Sequence, residues 1–227
     1  MSRIARIVYT SYPHHIIQRG NNRQIVFFDD RDRNFYLALL KKYASECGCK
    51  VKAYCLMDNH VHILLVPIQR DSLAKTMQKL SLIFTQYTNK KYRRTGRLWE
   101  SRFHSTPVYK DSYLWAVCRY IEKNPVREKM VKRPVDYRWS SAKANTSDTY
   151  QDGIVVPIWK DYLHLDEYVK FLDKNEDEKQ IGEIRKATYS GMPAGPDIFI
   201  KNISEQLGIV LEKNPRGRPK KNKGQGK

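Results

Sequence analysis

His60-Val61-His62 sets two imidazoles at positions i and i+2. On a β-strand such residues share a face, so both rings can address one metal ion. The run continues Ile63-Leu64-Leu65-Val66, and an imidazole buried beside so apolar a stretch costs a few kcal/mol unless it finds a polar partner. A cation is one such partner; the alternative is a pair of partly buried histidines in a hairpin strand. Asp58 has the same parity, but ahead of Asn59 it reads as a turn residue. Tyr120 and Asn124 stand four apart, hence on one helix face, and Pro125 makes Asn124 the helix end. That pair offers a nucleophilic phenol and a metal-binding carboxamide oxygen. Taken singly, each also reads as an ordinary residue, Tyr120 packed in an interface and Asn124 closing a helix.

From Arg70 to Lys110 there are ten bases and two acids, interleaved with aromatics. Cations track phosphates and rings stack bases, so this stretch resembles a single-strand groove, with a solvated basic face over core aromatics as the alternative. Phe84 and Tyr87, at helical spacing, belong to the core. Trp99 and Phe103, in a loop with Arg93, Arg94, Arg97 and Arg102, are expected to contact nucleic acid. Arg216-Gly217-Arg218-Pro219 resembles the core of an AT-hook, in which glycine lets the backbone reach the minor-groove floor; a generic cationic tail is the equal alternative. Cys55 and Cys118 read as buried thiols, and no phosphate-binding loop or dinucleotide fingerprint is present.

The elements that must position these residues follow from periodicity. His14 to Gly20 reads as a strand and Asp30 to Cys47 as a helix. Lys50 to Met57 and His60 to Pro67 form a hairpin, and Ser72 caps a helix that runs to Asn89. His104 to Tyr109 reads as an edge strand, and Asp111 or Ser112 caps a helix through Tyr120. The order β-α-β-β-α-β-α predicts an α+β, ferredoxin-like fold: an antiparallel sheet with helices on one face and the other free for a ligand. The catalytic helix and a small helical C-terminal extension add to it. Residues 1–146 are expected to form the catalytic domain, 147–212 the extension, and 213–227 a basic tail unable to fold alone. Asp166 to Ala187 reads as mixed-charge helix and Asp197 to Leu211 as a further one.

The chain of 227 residues carries a net charge of +18, which favours nucleic acid as partner. Four cysteines without CxxC spacing argue against a disulfide scaffold or zinc finger and suit the cytosol. No apolar run is long enough to span a membrane or act as a signal-peptide core.

Several segments together resemble the HUH single-tyrosine transposases, and most nearly their REP-associated branch. They are His14-His15-Ile16-Ile17-Gln18-Arg19-Gly20-Asn21-Asn22, the run from Ala53 to His62, Leu98-Trp99-Glu100-Ser101-Arg102-Phe103, the run from Arg119 to Arg127, and Tyr137-Arg138-Trp139-Ser140-Ser141. The resemblance implies a single-stranded DNA transesterase, associated with the nucleoid, that acts on hairpin-flanked DNA. It implies His60 and His62 as metal ligands with Asn124 as the third, Mg²⁺ or Mn²⁺ as the ion, and Tyr120 as the nucleophile that forms a 5′-phosphotyrosine. Asn124 stands where insertion-sequence members carry Gln, and the extension beyond Ser147 is longer than their compact core. Monomer and homodimer are both compatible, and a catalytically idle DNA-binding descendant is the alternative function.

Overall fold

The structure is a computed structural model and describes residues 6–110, 112–162 and 164–211. One antiparallel sheet contains β1 (His14–Arg19), β2 (Cys49–Met57), β3 (His60–Pro67) and β4 (His104–Pro107) in the order β2-β3-β1-β4. The helices are α1 (Asp30–Glu46), α2 (Ser72–Lys91), α3 (Ser112–Glu122), α4 (Asn124–Arg127), α5 (Ala142–Asn145), α6 (Trp159–Tyr162), α7 (Leu165–Asp173), α8 (Glu178–Ser190) and α9 (Asp197–Leu207). This is the expected ferredoxin-like α+β plan with a helical extension. Among the described residues no helix is long and apolar enough to cross a membrane.

Strand register sorts the side chains. His15 lies opposite Leu64, Ile17 opposite His62 and Arg19 opposite His60, and directly opposed residues project from the same face. Ile16, Val61, Ile63 and Leu65 take the other face and form a core with Tyr36 and Leu40 of α1 and Leu73, Met77, Leu80 and Phe84 of α2. Those spacings give each helix one apolar stripe. Asp29 caps α1 in a capping box with Asp32. The buried Asp32 carboxylate also accepts from Tyr87, Tyr92 and Lys91, at 3.0, 2.8 and 2.7 Å, tying the start of α1 to the end of α2.

The second face is covered, contrary to the expectation of a free one. α3 lies over β2 and β3, while α8 lies over β4 and β1. The reason is in α3 itself, where Leu114, Trp115, Ala116, Val117, Cys118, Tyr120 and Ile121 are all buried. A helix apolar around most of its circumference needs a layer on each side. The sheet supplies one and the extension the other: Trp115 packs edge-on against Tyr168 and Phe171 of α7.

Among the boundaries that differ from the sequence reading, three have a visible cause. β4 ends at Pro107, and the Tyr109 amide bonds the Ala194 carbonyl instead of extending the strand. Asp166 to Ala187 divides into α7 and α8, because Asp177 caps a new helix through the Lys179 amide. α9 stops at Leu207, where Gly208 adopts the left-handed conformation (φ 61°) that closes helices.

Candidate active site

Asp58 and Asn59 form the β2–β3 turn, and the Asp58 carboxylate pairs with Arg33. Asn59 donates its amide nitrogen to the Arg23 carbonyl at 3.2 Å, which turns its oxygen toward His60 Nδ1 at 2.6 Å. His60 Nδ1 therefore carries the proton, and Nε2 holds the lone pair. The His62 ring is 5.0 Å away, centroid to centroid, with its Nδ1 3.0 Å from His15 Nε2. Burial, aided by the Arg19 charge, lowers the pKa of His60 to about 4. Burial also pushes His62 well down, with its histidine neighbours, Arg127 and Arg19 adding repulsion. Both rings are neutral at physiological pH, as metal ligation requires.

Tyr120, near the end of α3, meets His62 and His15 edge-on at centroid distances of 5.6 and 5.7 Å. The helix breaks after Glu122 and a new turn, α4, starts at Asn124. Tyr120 and Asn124 are thus on two successive helical segments, not on one face of a single helix as the spacing suggests. Asn124 is buried and its amide nitrogen is unpaired. The turn also swings Arg127 back so that its guanidinium lies 4.3 Å over the Tyr120 ring. Glu176 pins that guanidinium through both carboxylate oxygens, at 2.7 and 2.9 Å. Arg185 of α8 lies beside the Tyr120 side chain, and that interaction raises the guanidinium pKa. Tyr120 is only 5% exposed. Tyrosine and histidines meet within one chain.

These residues suit a divalent cation: two neutral imidazoles side by side, His60 with its proton on Nδ1, and the buried Asn124 carboxamide, whose oxygen is the kind of donor a hard cation takes. Among the described residues no third His, Cys, Asp or Glu completes a ready cage, so further donors must be amide, phosphate or water oxygens.

The basic loop divides in two. Arg93, Arg97 and Arg102 are exposed. Arg94 is half-buried, bonded to Gln24 Oε1 at 2.6 Å. Trp99 and Phe103, expected as base-stacking residues, are buried and must be corrected. The loop continues the edge of β1, with the Glu100 amide bonded to the Arg19 carbonyl and Trp99 bridged to Gly20. This seats the Trp99 ring against Tyr36 and Phe84. Phe103 lies beneath the Arg6 guanidinium at 3.8 Å. Gly20 permits the tight turn that follows β1, since a Cβ there would meet the Gln24 carbonyl oxygen at 2.3 Å. A shallow cleft nearer the histidines is lined by Arg19, Arg102, His104 and Tyr189 among others. Arg216 and Arg218 lie outside the described residues.

Sequence reasoning assigned no role to His15, Arg127, Glu176, Arg185 or Thr188. His15 was within reach of strand parity once β1 was paired with β3. The α8 residues carried no local signal, because their placement depends on how the extension folds back.

The family described as "Transposase IS200 like" matches residues 8–124, more than half of the chain, and the chain belongs to that family. Its fold is also that of a solved REP-associated tyrosine transposase bound to a REP hairpin. The TM-score is 0.57 and the identity 16%, over 68% of this chain and 90% of that one. A putative transposase from Deinococcus radiodurans R1 matches at 17% identity and TM-score 0.38, over 57% and 92% of the two chains. No curated protein matches.

Proposed function

We propose that this transposase-family chain is a single-stranded DNA transesterase that cleaves and rejoins hairpin-flanked DNA through a 5′-phosphotyrosine on Tyr120. One observation carries the reading: the Tyr120 ring packs against His62, beside His60, within a ring of cations formed by Arg19, Arg127 and Arg185. A phosphodiester is the substrate such a constellation suits. The tyrosine oxygen attacks phosphorus and the P–O3′ bond breaks; the phenol proton passes to solvent, and the departing 3′ oxygen takes one up. Attack by a 3′-hydroxyl on the phosphotyrosine reverses the step without ATP, since one phosphodiester replaces another.

Arg127 and Arg185 offset the negative charge that builds on phosphate and tyrosine oxygens. His60 and His62, with Asn124 as the third ligand, would hold Mg²⁺ or Mn²⁺, which when bound polarises the scissile phosphate as a Lewis acid. DNA would follow the cleft at Arg19 and Arg102 toward Arg93, Arg94 and Arg97. Arg216 and Arg218 of the tail add salt-dependent affinity for the duplex part of a hairpin. In this reading residues 1–146 are the catalytic domain and 147–212 the extension that covers it, while 213–227 form a DNA-binding tail. The protein acts at the nucleoid. The hairpin bound to the fold relative supports the choice of substrate.

The deciding experiment incubates the protein and Tyr120→Phe with a single-stranded hairpin oligonucleotide and Mn²⁺. A denaturation-resistant adduct with the native protein and none with the variant is the expected outcome. Adduct from Tyr120→Phe would refute the nucleophile. The 5% exposure of Tyr120 favours a second reading, a DNA-binding protein that no longer turns over. Hairpin binding by the native protein without metal-dependent cleavage would establish it.

A further inference from the structure

Helix α8 belongs to the extension, yet it takes part in a hydrogen-bonded chain that ends at His62. Thr188 Oγ1 donates its single proton to the Ile184 carbonyl at 2.7 Å, one turn back in α8. With that proton committed, the hydroxyl can only accept from His15 Nδ1, 2.9 Å away. His15 is 1% exposed, and a ring so fully buried with no carboxylate among its hydrogen-bond partners stays neutral. A neutral ring protonated at Nδ1 presents Nε2 as an acceptor. His62 Nδ1 lies 3.0 Å from that nitrogen, and the ring centroids, 5.2 Å apart with planes 17° from parallel, fit an N–H···N bond that lies in the plane of both rings. His62 must therefore hold its proton on Nδ1 and its lone pair on Nε2.

We propose that Thr188, acting through His15, fixes the tautomer of His62 and so prepares its Nε2 to bind a divalent cation. Thr188 and His15 are positioning residues and touch no reacting atom. The inference rests on the metal reading of His60 and His62 given above. A neutral imidazole free in solution distributes its proton over both nitrogens, and the wrong tautomer points an N–H at the cation. Partners that hold the far side of a ligating imidazole typically govern affinity by about 10-fold to 100-fold. His60 has its own such partner in Asn59. For His62 that partner chain runs 173 residues from His15 to Thr188, so the extension contributes to the site and is not only a cover.

The test uses the full chain. Long-range ¹H–¹⁵N correlation spectra of the metal-free protein report which nitrogen of each histidine is protonated, and Mn²⁺ titration reports affinity. The native protein should show His15 and His62 protonated at Nδ1. Thr188→Val keeps the shape and removes the hydroxyl; it should disturb both tautomers and weaken Mn²⁺ by roughly 10-fold to 100-fold. Thr188→Ser should restore both. Native tautomers with unchanged Mn²⁺ affinity in Thr188→Val would overturn the relay alone. If Thr188→Val does not fold, the native spectrum still decides, because His62 protonated at Nε2 also overturns it. A native protein that shows these tautomers but binds no Mn²⁺ would overturn the metal reading on which the inference stands.

Discussion

The Tyr120 and His62 rings meet in a T-shaped contact at a centroid distance of 5.6 Å and an interplanar angle of 83°. α3 delivers the tyrosine and β3 the histidine, so the angle at which the helix crosses the sheet sets how a phenol oxygen and a bound cation could share one phosphate. The Arg127 guanidinium lies 4.3 Å over the same ring and is held by Glu176.

Arg127→Ala is expected to lower the rate of adduct formation by about 100-fold, in the range found for removal of a donor that stabilises a charged transition state. Glu176→Gln leaves the guanidinium in place but loosens it, and should cost about 10-fold or less. Single-turnover kinetics with a hairpin oligonucleotide measure both. Equal losses would show that Glu176 does more than orient Arg127.

Arg185→Ala removes the cation that α8 places beside Tyr120 and is expected to slow adduct formation by about 10-fold, less than a fully enclosed donor would cost. Faster adduct formation would mean instead that α8 hinders access to Tyr120. The same single-turnover assay separates the two.

Trp99→Ala should destabilise the fold by about 3–5 kcal/mol, the cost of emptying an aromatic site in a core. Its effect on DNA affinity at a temperature where the variant is folded should be small. Replacing the exposed Arg93, Arg97 and Arg102 with alanine should leave the melting temperature nearly unchanged. It should make log K fall less steeply with log salt, by about 0.7 in slope for each phosphate that these arginines neutralise. Urea unfolding and fluorescence anisotropy at several salt concentrations make the comparison.

Burial lowers the pKa of His14 from 6.5 to about 4. Its ring accepts from the Tyr9 amide at 3.1 Å and donates to the Tyr12 carbonyl at 2.8 Å, and protonation would break the first bond. The unfolded chain takes up protons near pH 6.5 while the folded chain does not. Stability is therefore full above that pH and erodes as pH falls toward about 4. Thermal melts at pH 7.5, 5.5 and 4.5 should show this decline. His14→Gln should lessen the decline by its own share, with the buried His15, His60 and His62 contributing the rest, and an unchanged slope would assign the decline wholly to them.

Glu122 is fully buried and accepts from Ser141 and Asn145 of the segment after α4 at 2.6 and 2.7 Å, and from Tyr168 of α7 at 2.6 Å. Burial raises its carboxyl pKa. Glu122→Ala would leave those donors unpaired and should cost about 3 kcal/mol, whereas Glu122→Gln keeps most of the network and should cost about 1 kcal/mol. Equal losses in urea unfolding would mean that volume, not hydrogen bonding, matters at this position.

Much of the fold and part of the site were legible in the chain. The hairpin from β2 to β3 was marked by alternation, Asp58-Asn59 and Pro67, and the His60/His62 pair by parity alone. The helices α1 and α2 were marked by their apolar stripes, and the basic loop by its charge. These are local signals, because strand and helix periods act over a few residues. The burial of Trp99 was not legible, since the loop looks solvated until its backbone pairs with β1. Nor was the break between Tyr120 and Asn124, which appears only when α3 stops at Glu122. Thr188, Arg185 and Glu176 carry no periodic or motif signal. Thr188 meets His15, Arg185 lies beside Tyr120 and Glu176 holds Arg127 because the long apolar circumference of α3 draws the extension back over the sheet, and such long-range packing has no signature in the spacing of neighbouring residues.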